Sequence, residues 1–245
     1  MAFNNCNPET NGEKYFYNLL KDKITTIFDI GCRYDSLFLD FTGDVHYFDP
    51  ISEFINKLKE QPTLNRKSYF NTFGLGYQTG KQYYFPAHQS FVNRIKSCHD
   101  DAKNKLELEI KTATDYITEF AHCTVNTGLE TQCLGTDVND GTPIDFNEFI
   151  DFIKIDTEGY ELDVLQGFGD LLTTRVKVIQ FEYGGTYLDK GIKLQDVISY
   201  LETQGFGKFC YLSCDTLIQI TDFTDHYKYC NIVCVNMRLE MKDLY

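Results

Sequence analysis

The chain alternates short β-branched apolar runs with stretches of helical spacing. Ile24–Ile30 (ITTIFDI) runs straight into Gly31, which predicts a buried parallel strand entering a tight turn. Val45–Asp49 predicts a second strand; after Pro50 and Ser52, Phe54, Ile55 and Leu58 fall on one helical face, so strand feeds helix. A third strand is predicted over Tyr69–Phe73. Beyond it Gln78-Thr79-Gly80 reads as a hairpin turn leading into Gln82–Phe85, an antiparallel decoration of the sheet. Leu106, Leu108 and Ile110 alternate with Glu107, Glu109 and Lys111, the period of a half-buried strand, and Thr114 is the expected cap of a short helix that follows. The pattern then predicts a strand over Phe149–Ile155, a helix over Glu161–Leu172, a strand over Val176–Glu182 and a helix over Leu194–Gln204 ended by Gly205. Closing strands include Ile232–Val235.

Strands alternating with helices predict an α/β protein with a mostly parallel, doubly wound sheet. Residues 1–245 read as one domain, with 1–23 as an N-terminal extension. Residues from about His122 to Glu148 are rich in Thr, Asn, Asp and Gly and lack periodicity. A loop of that length in a compact domain is usually either functional or mobile, so it reads as an inserted loop or lid.

Composition supports a large core: 42% of the 245 residues are hydrophobic and 15% aromatic. A net charge of −13 repels phosphate backbones and anionic lipid surfaces, so neither nucleic acid nor a membrane is an expected partner. The opening MAFNNCNPET has neither a basic start nor an apolar run, and a soluble cytoplasmic location is expected. The nine cysteines include no Cys-x-x-Cys, and the pairs Cys210/Cys214 and Cys230/Cys234 have poor zinc spacing, so reduced, mostly buried thiols are expected.

The candidate chemistry lies at strand ends. Asp29 and Asp49 close the first two strands, where open α/β sheets bind ligands. Asp49 follows Asp29 by 20 residues, close to the roughly 20-residue offset at which an acid meets ribose hydroxyls. The turn Gly31-Cys32-Arg33-Tyr34-Asp35-Ser36 has one glycine instead of three, which argues against a pyrophosphate cradle and for a nucleoside ligand without phosphates, such as S-adenosylmethionine. The bland alternative is that Asp29 caps the turn and Asp49 the following helix. The segment Ile150–Glu161 (IDFIKIDTEGYE) carries Asp156, Glu158 and Glu161 out of an apolar strand, and Glu182 should end the strand beside it. Crowded acids need a cation or a substrate proton to offset their repulsion; the competing reading makes Thr157 and Glu158 helix caps.

These motifs, taken in order, resemble FkbM-type methyltransferases: Asp29 to Gly31, Phe48-Asp49-Pro50, the FNTFGLGYQTG segment over residues 70–80, Lys154-Ile155-Asp156-Thr157-Glu158-Gly159, the Gly167 turn and Phe181-Glu182-Tyr183. The resemblance covers roughly Thr26 to Asn236. It departs where Arg33 and Asp35 replace the usual small residue and second glycine, and in the length between Ile117 and Asp151. It implies a Rossmann-like class I methyltransferase fold with an antiparallel C-terminal hairpin, S-adenosylmethionine as cofactor, and methyl transfer to oxygen, often on sugars. By resemblance Asp49 with Pro50 meets the ribose; Asp29 and Gly31, with Arg33 and Ser36 in the same turn, hold the methionine side; and Asp156, Glu158 and Glu182 line the acceptor site.

Removing a proton from an alcohol needs a base or a metal ion. Asp156 or Glu158 could be that base; Asp156 and Glu182 could hold magnesium; His88 is a third candidate base. The expected activity is O-methylation of a small or glycan acceptor. N- or carboxyl-methylation, and a nucleoside-binding protein without turnover, stand as alternatives.

Overall fold

A computed structural model describes residues 3–86, 89–92, 105–125 and 149–239. Its centre is an eight-stranded sheet. In chain order the strands are β1 (Thr26–Ile30), β2 (Asp44–Phe48), β3 (Lys67–Asn71), β7 (Ile150–Ile155), β8 (Val176–Tyr183), β9 (Phe206–Ser213), β10 (Thr216–Gln219) and β11 (Cys230–Asn236). Across the sheet the order is β10-β9-β11-β8-β7-β1-β2-β3. The pairs from β3 to β8 are parallel; β11 lies antiparallel between β8 and β9, and β10 folds back antiparallel on β9. The fold is therefore α/β with a mostly parallel central sheet.

The strands are mostly apolar because both faces are covered. Ile27, Val45, Tyr47 and Phe152 point to one face, under α1 (Glu13–Leu20) and α2 (Ser52–Lys59). Phe28, Ile30, Phe48, Ile153 and Ile155 point to the other, where α3 (Ala113–Val125), α4 (Glu161–Gly167), α5 (Asp170–Thr174) and α7 (Leu194–Thr203) contribute their buried residues. The predicted extension thus supplies Phe16, Tyr17 and Leu20 to one of the two cores. Among the described residues no helix is long and apolar enough to cross a membrane.

Four local expectations are corrected. β3 lies two residues earlier than its apolar run predicts and belongs to the main sheet. The segment after the Gly80 turn, β5 (Gly80–Tyr84), pairs antiparallel with β6 (Leu106–Lys111), which also takes β4 (Gly74–Leu75) on its other side as a separate three-stranded sheet. The alternating pattern of β6 found a partner that a local turn signal could not reveal. The cap of α3 is Thr112, whose hydroxyl accepts the Asp115 N–H at 2.9 Å; Thr114 is already helical and its hydroxyl donates to the carbonyls of Gly167 and Phe168. The single helix expected over Glu161–Leu172 is two, broken where Gly169 adopts φ +51°, and a short α6 (Gly185–Lys190) follows β8. Among the described residues Cys6, Cys32, Cys210, Cys214, Cys230 and Cys234 are free. Most of the expected lid, and His88, lie outside the described residues; His122 to Val125 continue the backbone of α3.

Candidate active site

The parallel strands deliver their C-terminal tips to one edge, and Gly31 lets three of them meet there. Its N–H donates to the Phe48 carbonyl at 2.9 Å, while the Asp156 N–H donates to the Ile30 carbonyl at 2.9 Å. Gly31 sits at φ +80°, and a Cβ at that position would overlap the Asp156 carbonyl oxygen, so glycine is required twice over. Above this junction lies a cleft of about 330 Å³. The nine residues assigned from the sequence to the cofactor and acceptor sites line it: Asp29, Gly31, Arg33, Ser36, Asp49 and Pro50 around one half, and Asp156, Glu158 and Glu182 around the other.

In the first half, Asp49 is fixed by backbone donors: Ile51 N–H to Oδ1 at 2.8 Å and Arg33 N–H to Oδ2 at 3.1 Å. Asp29 accepts the Ser36 hydroxyl at 2.5 Å through Oδ2, and its buried Oδ1 has no hydrogen-bond partner among the described residues. Burial raises both carboxyls from the usual range to about 6; for Asp29 the nearby Lys154 ammonium counteracts this, and for Asp49 its backbone donors do. Arg33 occupies φ +51°, a left-handed conformation that costs a non-glycine residue about 1 kcal/mol. The turn holds because the Arg33 N–H is tied to Asp49, while its guanidinium lies over the rings of Tyr34 (5.5 Å) and Phe54 (5.7 Å). That is how this chain accommodates arginine at a position where the family pattern has a small residue.

In the second half, one carboxylate oxygen each from Asp156, Glu158 and Glu182 lie within 4.8 Å of one another. Their acidities are unequal. Burial disfavours an ionised Asp156, but Lys154 Nζ at 3.0 Å and a hydrogen bond from Glu182 outweigh it and hold its carboxyl below the usual range. Burial and the adjacent charges of Asp156 and Glu158 push Glu182 well above its usual range, the opposite direction to Asp156. Glu182 Oε2 has no partner among the described residues.

Glu161 departs from its expected place in the acidic cluster. It is fully buried and turned inward, and its Oε1 accepts Thr157 N–H (3.0 Å), Thr157 Oγ1–H (3.0 Å) and Gly159 N–H (3.2 Å). The capping reading of Thr157 and Glu158 fails for the same reason: Thr157 is a donor to Glu161, and α4 begins after Tyr160 without a side-chain cap. Glu158 instead takes φ +54°, with its carbonyl accepting the Ser90 hydroxyl at 2.7 Å.

Lys154 and Glu13 are among the cleft residues with no role assigned from sequence. Lys154 is a lone lysine inside an apolar strand, and that break in the pattern is its signal. Glu13, on α1, had none, because its place depends on a helix docking from far along the chain.

Residues 32–207 match the family model of the methyltransferase FkbM domain. A solved structure, methyltransferase FkbM from Methylobacillus flagellatus KT, aligns over 85% of this chain at 12% identity and a TM-score of 0.40. The alignment spans 43% of that longer chain. No curated protein matches. With well over half of its length matched, the chain belongs to the FkbM methyltransferase domain family.

Proposed function

We propose that the chain is an S-adenosylmethionine-dependent O-methyltransferase acting on a hydroxyl of a small acceptor, a sugar or glycan, on a Rossmann-like class I scaffold. The observation that carries this reading is the division of one cleft into a half with two nearly buried carboxyls at adjacent strand tips and a half with three clustered acids. The first half fits the cofactor. Asp29 Oδ1 is a buried acceptor lacking a donor, which a ligand ammonium would supply, and Asp49 keeps acceptor capacity for ribose hydroxyls beside Pro50. S-adenosylmethionine supplies an electrophilic sulfonium methyl group when bound. Gly31, Arg33 and Ser36 shape the turn that faces it.

In the second half Asp156, held ionised by Lys154, is the base that takes the acceptor's hydroxyl proton as the new O–C bond forms. Glu158 accepts a further hydroxyl hydrogen bond, and Glu182 stays protonated and orients Asp156. Alignment of the acceptor oxygen opposite the departing sulfur follows from the two halves sharing one cleft.

The three clustered oxygens also favour a second reading, in which Asp156, Glu158 and Glu182 hold magnesium in place of the shared proton; all are the hard ligands that ion prefers. Activity lost in chelator and restored by the ion selects it. The main test is transfer of labelled methyl from the cofactor to a panel of methyl-free sugars and polyols, with products identified by mass spectrometry. Label found on protein amines or carboxylates instead moves the assignment to N- or carboxyl-methylation. Cofactor binding with no labelled product leaves a nucleoside-binding protein.

A further inference from the structure

Asp29, Lys154 and Gln180 stand side by side in register on β1, β7 and β8, interrupting three apolar strands on the face that α1 covers. All are screened from solvent, and Lys154 is 13% exposed. A buried row of this kind must be satisfied from the helix above it, and Glu13 does so. Its Oε1 accepts Gln180 Nε2–H at 2.9 Å and lies 3.9 Å from Lys154 Nζ, and its Oε2 accepts Asn11 Nδ2–H at 3.0 Å. Lys154 Nζ in turn contacts Asp156 Oδ2 at 3.0 Å. Gln180 also bonds Asn231, the strand neighbour of Glu182, so the second acid rests on the same network.

α1 is committed to this position. Gly12, at φ +101°, presses so closely on the Ser213 backbone that any side chain would collide. The preceding segment is pinned by Asn4 N–H to the Tyr229 carbonyl and by Tyr229 N–H to Asn4 Oδ1, and Cys6 and Pro8 line the cleft. Yet all these N-terminal residues precede the family match at 32–207.

From this geometry we infer that α1, outside the family match, completes the active site: Glu13 is a positioning residue that anchors the Lys154 ammonium and through it holds Asp156 in place. The inference rests on the reading of Asp156 as the base. With Glu13 neutral, Lys154 loses one of its two carboxylate partners and Asp156 loses a fixed neighbour, while the cofactor half of the cleft keeps its contacts.

The test uses the full chain with Glu13→Gln, Lys154→Gln and the double variant. On the most active acceptor of the panel, Glu13→Gln should lower kcat at least about tenfold, since a displacement of about 1 Å can cost on the order of 100-fold. The KM for cofactor should stay within about twofold. Because Glu13 acts through Lys154, its substitution should have no further effect in the Lys154→Gln background. An unchanged kcat, or the same loss in both backgrounds, overturns the proposal.

A second readout needs no turnover. At constant pH, the lysine-ammonium resonance that vanishes in Lys154→Gln should exchange its protons at least about tenfold faster in Glu13→Gln. If the wild type methylates nothing, the functional reading fails by itself, and an unchanged resonance still overturns the pairing. Should Glu13→Gln not fold, Asn11→Ala, which releases one Glu13 oxygen while keeping both charges, provides the same comparisons.

Discussion

Glu161 offers a quantitative test of how the loop after β7 is held. Its carboxyl is fully buried, Oε1 takes three donors from Thr157 and Gly159, and Oε2 has no partner among the described residues. Burial is the largest influence and raises it from 4.5 to about 7, with the hydrogen bonds pulling the other way. At about 1.4 kcal/mol per tenfold in acidity, that difference is worth about 3 kcal/mol. For an acid whose folded value is raised, the stabilisation is fully present below the unfolded value of 4.5 and is lost as pH rises through about 7. Glu161→Gln keeps an oxygen for the three donors and removes the charge. Urea unfolding of both proteins between about pH 5.5 and pH 8.5 should therefore show the stability difference moving by about 2 kcal/mol in favour of the variant as pH rises. Other titrating groups cancel in that difference. A difference constant to within about 0.5 kcal/mol would mean that Glu161 ionises as an ordinary exposed acid, and the buried-staple account of the loop would fall.

Further tests address the cleft and the core. Asp49→Ala removes a charge-assisted partner worth about 1.5 to 3 kcal/mol, so calorimetry should find S-adenosylhomocysteine bound at least about tenfold more weakly; equal affinity removes Asp49 from the cofactor half. Asp156→Asn and Glu182→Gln should each lower kcat about 100-fold or more with little change in cofactor affinity, and full activity in both would leave the acids without a catalytic role. Gly31→Ala forces a side chain into the Asp156 carbonyl at φ +80° and should cost about 2 to 4 kcal/mol in urea unfolding. His46, stacked on Tyr69 at 4.3 Å and hydrogen-bonded to the Tyr116 hydroxyl at 2.7 Å, is held neutral by burial, its value lowered from 6.5 to about 3. The stability it lends above 6.5 is lost as pH falls towards 3, so the wild type should lose stability over that window relative to His46→Gln; parallel curves would refute it.

The sheet was legible because its strands are buried on both faces and so read as mostly apolar, β-branched and aromatic runs; β1, β2, β7 and β8 all follow that pattern. The nine cleft residues were legible for the same reason: a strand tip is a position along the chain, and parallel strands bring their tips to one edge. Pairings between distant segments were not. Nothing near Gly80 specifies that β5 takes β6 as its partner, because the turn signal is local and the pairing is not. Glu161 was misplaced because a single acid near a strand end does not reveal whether it points outward or folds back onto its own loop. Glu13 was invisible because its place depends on a docked helix, whereas Lys154 entered the sequence reading only as part of a motif, with no role of its own.

The placement of β11 bears on how the protein must be made. All seven of its residues are buried and it fills the space between β8 and β9, although both neighbours leave the ribosome before it. Until Asn236 has been synthesised, β8 and β9 each present an unsatisfied edge flanking a slot one strand wide, in a nascent chain emerging at about 5 to 20 residues per second. The sheet therefore cannot zip up in the order of translation; its keystone arrives last. A ribosome that stalls before Cys230 leaves not a slightly shortened domain but a split sheet with two sticky borders, which any extended peptide, including a second stalled chain, can enter.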